Sequence, residues 1–515
     1  MKKNVGLGLS GLFVFFSISA IAQSYADEAL IFSRINSTGS ARIQAMGGAQ
    51  VALGGDYSTA YSNPAGLGFY NKSEATLSFG QNFYNTTSSY YNADTKDAQS
   101  NFNVPGFSVV FHNDKNTGKL ISGNFGLSLT RTNNFNQNFT YQTDANGNPN
   151  SSLIDYFVQQ SYGSFPGDFG QNGNSFYTLQ RLAYNNYLIG PQNEVIPNAD
   201  SSIWHTYIGQ IPFQHERNKV DGAQNQFNIS YGLNFNDKVY VGGAVGLPTF
   251  HYHSNRTYYE KFDDPTTPIY GFDLTEDYTI KGSGINATIG TIIKAQDFVQ
   301  FGFSIATPTY FYDVNDNYTA TMTSVWDNYT YVDSTYPSHT TTFNSGDQLK
   351  DGMQDLTANY ALTTPWRIKG GATFFVKKQG FITLEVEKVN YSKSALTSNT
   401  DGLDFTYDNS DIKSMYRNVF NFRGGGEYRF DRFRGRVGFS YMPDPYAAPQ
   451  NGIDNSITSF TGGVGYRTDK FFVDLGLNMS QWNGSYVPYH LANNSPVVAQ
   501  KNSMTGITVT FGVNL

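Results

Sequence analysis

The chain has no cysteine, only 15% charged residues and four tryptophans among 515 residues, and after its first two dozen residues it has no long apolar run. Without cysteine there are no disulfides, no thiol catalysis and no thiolate-held zinc. With 34 Lys and Arg against 41 Asp and Glu, the net charge of -7 leaves no basic footprint for nucleic acid. The lack of a run near the roughly 18 residues a spanning helix needs excludes a helical membrane bundle. Histidine is scarce and scattered, with no Ser-His-Asp spacing, and the chain reads as no enzyme. His251-Tyr252-His253 either chelates a metal from one strand face or marks a loop boundary; no metal and no cofactor are expected. Gly424-Gly425-Gly426 sits inside a strand pattern rather than before a helix, so it is not a nucleotide loop.

What the chain does have is 51 Gly, 37 Tyr and 41 Phe. At its start, Met1-Lys2-Lys3, an apolar stretch from Val5 to Ile21 and Ala20-Ile21-Ala22 predict a signal peptide over residues 1 to 22. From Glu74 to Leu515 the dominant pattern is alternation at period two, the strand period. Ile507, Val509, Phe511, Val513 and Leu515 alternate with Thr508, Thr510, Gly512 and Asn514, and the form recurs from Phe227 to Phe235 and from Phe471 to Met479.

Such strands build either a soluble sandwich or a transmembrane barrel, and connection lengths separate the two. Tight polar turns fall at 113 to 119, 236 to 238, 294 to 297, 377 to 380, 431 to 432 and 468 to 470. Between them lie longer linkers near 92 to 100, 145 to 223, 255 to 272, 313 to 357, 397 to 413, 444 to 456 and 484 to 500, of which 145 to 223 and 313 to 357 are the longest. Short periplasmic turns alternating with long extracellular loops are the mark of outer-membrane barrels. The segments predict an all-β chain: a fourteen-stranded antiparallel transmembrane β-barrel over residues 74 to 515, in the bacterial outer membrane, with Tyr and Phe serving its interfacial girdles.

Residues 23 to 73 break the pattern. They are rich in Gly, Ala and Ser yet carry Phe32, Ile35, Ile43, Met46, Val51, Leu53 and Leu67, which a solvated linker does not need, so a compact hatch inside the barrel is expected. The stretch Gly39 to Gly68, with Ala45-Met46-Gly47-Gly48-Ala49 and Asn63-Pro64-Ala65, together with Thr364-Pro365-Trp366-Arg367, resembles the FadL/TodX family of outer-membrane transporters for hydrophobic compounds, in the form common among Bacteroidetes. The resemblance implies a hatch-closed barrel that captures an apolar ligand at its loops, passes it to a lumen site touching the hatch, and releases it sideways through a kinked third strand. It makes passive uptake of a hydrophobic small molecule, with long-chain fatty acid as the leading class, the expected function. A FadL-like fold is also known in a type IX secretion cargo shuttle, so a non-transporting interaction protein is the alternative. The expected surroundings are outer-membrane lipid, lipopolysaccharide and the barrel assembly machinery, and the expected state is a monomer.

The candidate site residues follow. Asn63, Pro64 and Ala65 form either a hatch gate or an ordinary Asn-Pro turn. In the third strand, Gly126 and Arg131 are candidates for a lateral opening, because Arg131 falls in phase with lipid-facing Phe125, Leu127 and Leu129; it sits at the interface or marks a bulge. Arg34 and Arg42 could meet a carboxylate head group through paired hydrogen bonds. Inward phase also collects Arg367, Lys369, Glu385, Glu387, Arg417, Arg423, Glu427, Arg429, Arg434 and Arg436 on one wall, as a cross-strand ladder holding the hatch or as a ligand contact. In the longest loop, Phe157, Phe176, Leu179 and Tyr187 either line a first ligand groove or pack against the loop itself.

Overall fold

The computed structural model describes residues 24–36, 38–144, 149–169, 178–192, 200, 202–206, 208–209, 212–332, 340–400 and 402–515; the expected signal peptide lies outside them, as do Phe176 and His339. One sheet of nineteen segments combines into fourteen wall strands. These are β1 (Glu74–Tyr90), β2 (Ala93–Thr117), β3 (Leu120–Asn134, resuming as Gln137–Gln142), β4 (Phe213–Phe235), β5 (Val239–Lys261) and β6 (Ile269–Gln296). There follow β7 (Val299–Ala306 and Tyr310–Trp326), β8 (Gln348–Gly352, Leu356–Thr363 and Arg367–Val376), β9 (Gly380–Asn390 and Ala395–Ser398) and β10 (Asn418–Phe430). The last four are β11 (Phe433–Met442), β12 (Ile457–Arg467), β13 (Phe471–Tyr486) and β14 (Val498–Asn514). Each strand pairs antiparallel with the next, and β14 closes on β1 with Asn514 opposite Glu74.

The period-two pattern separates the two faces of this wall. Val437 is 69% exposed and Phe460 64%, while inward neighbours such as Ser459 and Asp474 are buried. An apolar side chain left in water forgoes about 1.5–3 kcal/mol, so an exterior of this kind faces lipid. A closed barrel is the strand architecture that leaves no unpaired edge there, and this one is an outer-membrane barrel. Exposed Tyr310, Tyr312 and Trp366 form part of the outer aromatic girdle, beside the breaks at Pro308 and Pro365.

Two expected long linkers are strand instead, and so is much of a third, 313 to 357, because β7 runs on to Trp326 and β8 already begins at Gln348. Residues 93 to 100 belong to β2, which follows β1 through a two-residue turn with Tyr91 and Asn92 both at positive φ (40° and 66°). Most of 255 to 272 belongs to β5 and β6, whose pairing runs to Lys261 and Gly271. Above the membrane the outward face of these strands is polar, as at Lys96, Asn255, Thr257 and Lys261, so the lipid-facing alternation that marks the lower halves is missing.

The N-terminal segment occupies the lumen. Helix α1 (Tyr25–Ser33) starts with Ser24 and Asp27 capping each other's backbone, α2 (Ala41–Gln44) and α3 (Thr59–Ser62) are single turns, and a tight helical turn runs Pro64–Phe69. Its backbone rests directly on inward-facing glycines. A Cβ at Gly302 of β7 would lie 2.1 Å from the Val51 carbonyl oxygen, one at Gly242 of β5 2.3 Å from the Pro64 carbonyl carbon, and one at Gly438 of β11 2.3 Å from the Gly47 nitrogen. Gly232, Gly425 and Gly476 give the same seat on β4, β10 and β13.

The outer mouth carries a folded cap. Helices α4 (Leu153–Ser161) and α5 (Leu179–Asn185) pack with Trp204, Tyr258, Trp326 and Tyr489 in one apolar cluster that draws on the long ends of β1 and β5 to β7. Glu260 fixes α4 by accepting from Leu153 N (2.7 Å) and Ser152 Oγ (2.5 Å). Beneath it, buried Arg256 donates to Glu276 (2.7 Å) and Glu216 (3.1 Å); Tyr141 donates to the same Glu216 oxygen, and Tyr486 and Tyr318 donate to the other oxygen of Glu216 and of Glu276.

Candidate functional site: a chamber beside an unpaired seam

Thirteen of the fourteen strand junctions run in continuous backbone register over most of their shared length, but the β2 and β3 junction stops partway. Pairing begins at Thr117 opposite Leu120 and ends at Gly106 opposite Thr130; above that, β2 continues to Ala93 along β1 alone. A local cause lies on each side. On β2, the register with β1 slips between Ser78 and Gly80, where Val104 and Pro105 occupy the bulge, and Pro105 has no N–H to give. On β3, the register with β4 slips between Arg131 and Asn133, and the strand breaks at Phe135 and Asn136 before resuming. Phe102 stacks on Phe79 with ring centroids 6.2 Å apart, which places the unpaired stretch level with the outward apolar band.

Side chains bridge this seam in place of backbone. Asn134 Nδ2 donates to Asn101 Oδ1 (3.1 Å), Gln99 Nε2 to Asn136 Oδ1 (3.5 Å), and the backbone N of Thr140 to Asp97 (2.6 Å). From inside, the residues linking α1 to α2 close it. Asn36 Nδ2 donates to Asn133 Oδ1 (2.9 Å), Asn133 Nδ2 donates to the Arg34 carbonyl (3.0 Å), and the Thr38 hydroxyl donates to the Arg131 carbonyl. Phe32 meets Phe135 edge-on at 5.7 Å and stacks on Phe250 at 3.9 Å.

Behind the seam lies a chamber of about 300 Å³, lined by Ile31, Arg34, Asn133 and Asn136 on one side and by Trp482 and Met504 on the other. Its size is at the lower end of the range for small-molecule pockets. Outside the seam a groove of about 540 Å³ runs past Phe102, Arg131 and His251, and Asn136 belongs to both.

Helix α1 is anchored on the opposite side through carboxyl groups. Glu28 accepts from the hydroxyls of Tyr278 and Tyr360 (2.5 Å for the latter), Asp316 accepts from Tyr25 (3.1 Å), and Tyr416 donates to the Ala26 carbonyl (2.9 Å). Burial pushes the Glu28 carboxyl up to about 8, with nearby Asp316 and Asp27 adding to the rise against the tyrosine hydrogen bonds. The Asp27 carboxyl is raised as well, again by burial.

The sequence candidates fall into distinct places. Arg34 lines the chamber, where its guanidinium donates to the Asn455 carbonyl (2.9 Å), and burial lowers its pKa. Arg131 is at the seam, facing out, and both the expected bulge and a border position are present there. Gly126 is not at the opening: it lies within regular pairing, and a Cβ there would come 3.2 Å from Leu67, so it seats the hatch. Arg42 faces away from the chamber, 3.5 Å from Glu427 and bonded to the Gly54 and Gly55 carbonyls. Asn63, Pro64 and Ala65 are fully buried against β4 to β6, with Asn63 donating to the Val51 (2.6 Å) and Thr291 (3.2 Å) carbonyls and accepting from Ala65 N (3.2 Å). Among the described residues the loop candidates form no exposed groove. Phe157 is 0% and Leu179 6% exposed in the cap core, and half-buried Tyr187 packs on Tyr331 and Phe343, because the cap folds on its own apolar face.

The inward charges build a ladder rather than a ligand contact. Arg423 bridges Glu385 (3.0 Å) and Glu387 (2.9 Å), Arg367 holds Glu387 (3.1 Å), and Arg436 joins Glu427 (2.8 Å) to Asp474 (2.6 Å). Its hold on the hatch is explicit: Glu385 accepts from the backbone N of Gln50 (2.9 Å) and Val51 (2.8 Å). His253 sits between Asp221 (3.1 Å) and Asp277 (2.9 Å) and makes no cluster suited to a metal among the described residues. Sequence reasoning named Phe32 only as an apolar residue of the hatch and missed Asn36, Asn133 and Asn136. The signal for the last two was present in the amide-rich run Asn133-Asn134-Phe135-Asn136-Gln137.

No protein-family model and no curated protein sequence matches the chain. Solved structures share its fold. A Pseudomonas aeruginosa FadL homologue aligns with a TM-score of 0.55 over 93% of this chain and 99% of its own, at 12% identity. The P. putida toluene transporter TodX aligns with a TM-score of 0.51 over 93% and 99%, also at 12% identity. At that identity the similarity is one of architecture.

Proposed function

We propose that the protein is an outer-membrane channel for passive uptake of hydrophobic small molecules, with long-chain fatty acids as the leading substrate class and aromatic hydrocarbons next. The observation that carries this reading is the seam: a wall that loses its backbone pairing within the apolar band, next to a chamber of ligand size. A wall meant only to seal the membrane gains nothing from leaving strand edges unpaired in lipid. In this reading the ligand leaves the chamber sideways between β2 and β3, and the gate is the Ile31 to Thr38 stretch, with Asn63-Pro64-Ala65 as its fixed footing. Apolar burial, at about 25 cal/mol per Å², supplies the binding energy, so no energy source is required. The channel works as a monomer in lipid and lipopolysaccharide after insertion by the barrel assembly machinery. Its likeness in fold to structures described as a FadL homologue and a toluene transporter supports the same reading.

The test is native mass spectrometry of the detergent-purified mature protein with identification of extracted small molecules, for wild type and Asn133→Ala. A stoichiometric fatty acid or hydrocarbon, retained less well by the variant, is expected. A preparation holding no small molecule but a stable protein partner would overturn the channel in favour of an interaction protein.

A further inference from the structure

The groove outside the seam has a chemistry of its own. On the outward face, register aligns Arg131 of β3 with Asn225 of β4 and Thr249 of β5, and two residues below it aligns Leu129, Phe227 and Leu247. A polar row thus lies directly above an apolar one, at the border where lipid-facing side chains give way to polar ones. Phe102, 65% exposed, lines the same groove as the polar row across the seam. The Arg131 guanidinium is half-buried and is held only by Asn225 Oδ1 (3.3 Å), with no carboxylate partner among the described residues. Asp221, the acid in the groove, is engaged by His253 at 3.1 Å. An arginine at such a border, left without an anion, is an unmet demand for one. The chamber's lining also has a single charged side chain, and it too is a cation, Arg34.

We propose that this groove is an exit site for an anionic amphiphile, in which Arg131 receives the carboxylate of the molecule leaving the chamber while its chain lies along Phe102, Leu129 and Leu247. The proposal rests on the channel reading above and adds a second, outward-facing binding site with its own ligand requirement. A carboxylate matches the planar guanidinium with two parallel hydrogen bonds, and the row spacing delivers the chain into the bilayer core. Asn136 borders both spaces, so the chamber and the groove adjoin across the seam. A neutral hydrocarbon would use the chamber and pass the groove without stopping.

The test uses the full-length mature protein in phosphatidylcholine nanodiscs, a long-chain fatty acid carrying a tail diazirine, the corresponding alcohol, and a diazirine phosphatidylcholine, with labelled peptides mapped by mass spectrometry. In wild type the acid should label both the chamber peptide around Trp482 and the groove peptides around Phe102 and Leu129, whereas the alcohol should label only the chamber. Arg131→Gln should lower groove labelling about tenfold, the loss of one charge-assisted contact, with chamber labelling unchanged, and Arg131→Lys should retain most of it. Groove labelling that is unchanged in Arg131→Gln, or equal for the alcohol, overturns the site. So does a groove labelled by the phospholipid and not by the acid, which would make it a resident lipid position. Chamber labelling absent for every probe would defeat the channel reading itself, a result distinct from loss of groove labelling alone.

Discussion

On the β9 and β10 side of the lumen, the N-terminal segment is gripped by a buried ion pair, Arg42 with Glu427, and by the Glu385 carboxylate on two backbone amides, itself held in the wall by Arg423; on the β2 and β3 side, the same segment is met by neutral amides and one hydroxyl. Breaking a buried ion pair costs about 3–5 kcal/mol because a charge is left without its partner. A neutral hydrogen bond nets about 0.5–1.5 kcal/mol and can be exchanged for water. One wall therefore holds the hatch, and the other can let go of it without unseating it.

The sharpest way to break that contrast is to lock the releasable side. Asn101→Cys with Asn134→Cys replaces a 3.1 Å hydrogen bond across the seam in a chain with no native cysteine. Oxidation should abolish ligand flux in proteoliposomes, and reductant should restore it. Full flux through the oxidised protein would mean that the seam is not the exit.

Next in size is the grip itself. Arg423→Ala strands Glu385 and Glu387 without their bridging cation and should cost about 3–5 kcal/mol, read as a lower temperature for the folded-to-unfolded band shift in gels. Asn101→Ala on the seam should cost only about 0.5–1.5 kcal/mol. Equal losses would erase the contrast between the walls.

A third test lies in pH. The Glu28 carboxyl is raised from 4.5 to about 8 by burial, so the folded seat of α1 favours its protonated form. Its contribution is present in full below about pH 4.5 and is lost as pH rises toward 8. Protease cleavage near α1 should accelerate over that window in wild type, and Glu28→Gln should flatten the profile. Asn63→Ala, which removes a cap and two carbonyl contacts, should cost about 1–2 kcal/mol with no loss of flux. Loss of flux in a folded Asn63→Ala protein would move the gate back to the Asn63-Pro64-Ala65 motif.

How much of this was legible in the sequence depends on which force wrote it. Lipid-facing alternation is local, so the strands from Phe471 to Met479 and from Ile507 to Leu515 could be read directly, as could the tight turns. The upper halves of β1, β2, β5 and β6 were not legible, because outside the membrane the outward face no longer needs to be apolar. The charge wall was visible from phase alone, although its attachment to Gln50 and Val51 was not, since backbone amides leave no mark in a sequence. The seam was hidden for a related reason: where pairing stops depends on two strands at once, and only Pro105 and the amide run after Arg131 hinted at it. The apolar loop residues Phe157 and Leu179 were seen, but whether such a face meets a ligand or its own loop is decided by tertiary packing.

The glycine seats carry a consequence for how the molecule comes to exist. A Cβ at Gly302, Gly242 or Gly438 would intrude on hatch backbone at 2.1 to 2.3 Å, so core and wall fit with less clearance than one methyl group on several sides. Nothing of that fit could be threaded in from an open end afterwards. Residues 24 to 73 precede β1 in the chain, and β14 is the strand that finally meets β1. The cylinder must therefore be shut around a core already in position, as a mould is closed on its casting. An enlarged side chain at one of those glycines would then show itself as chains that never complete their last junction, rather than as finished pores that leak.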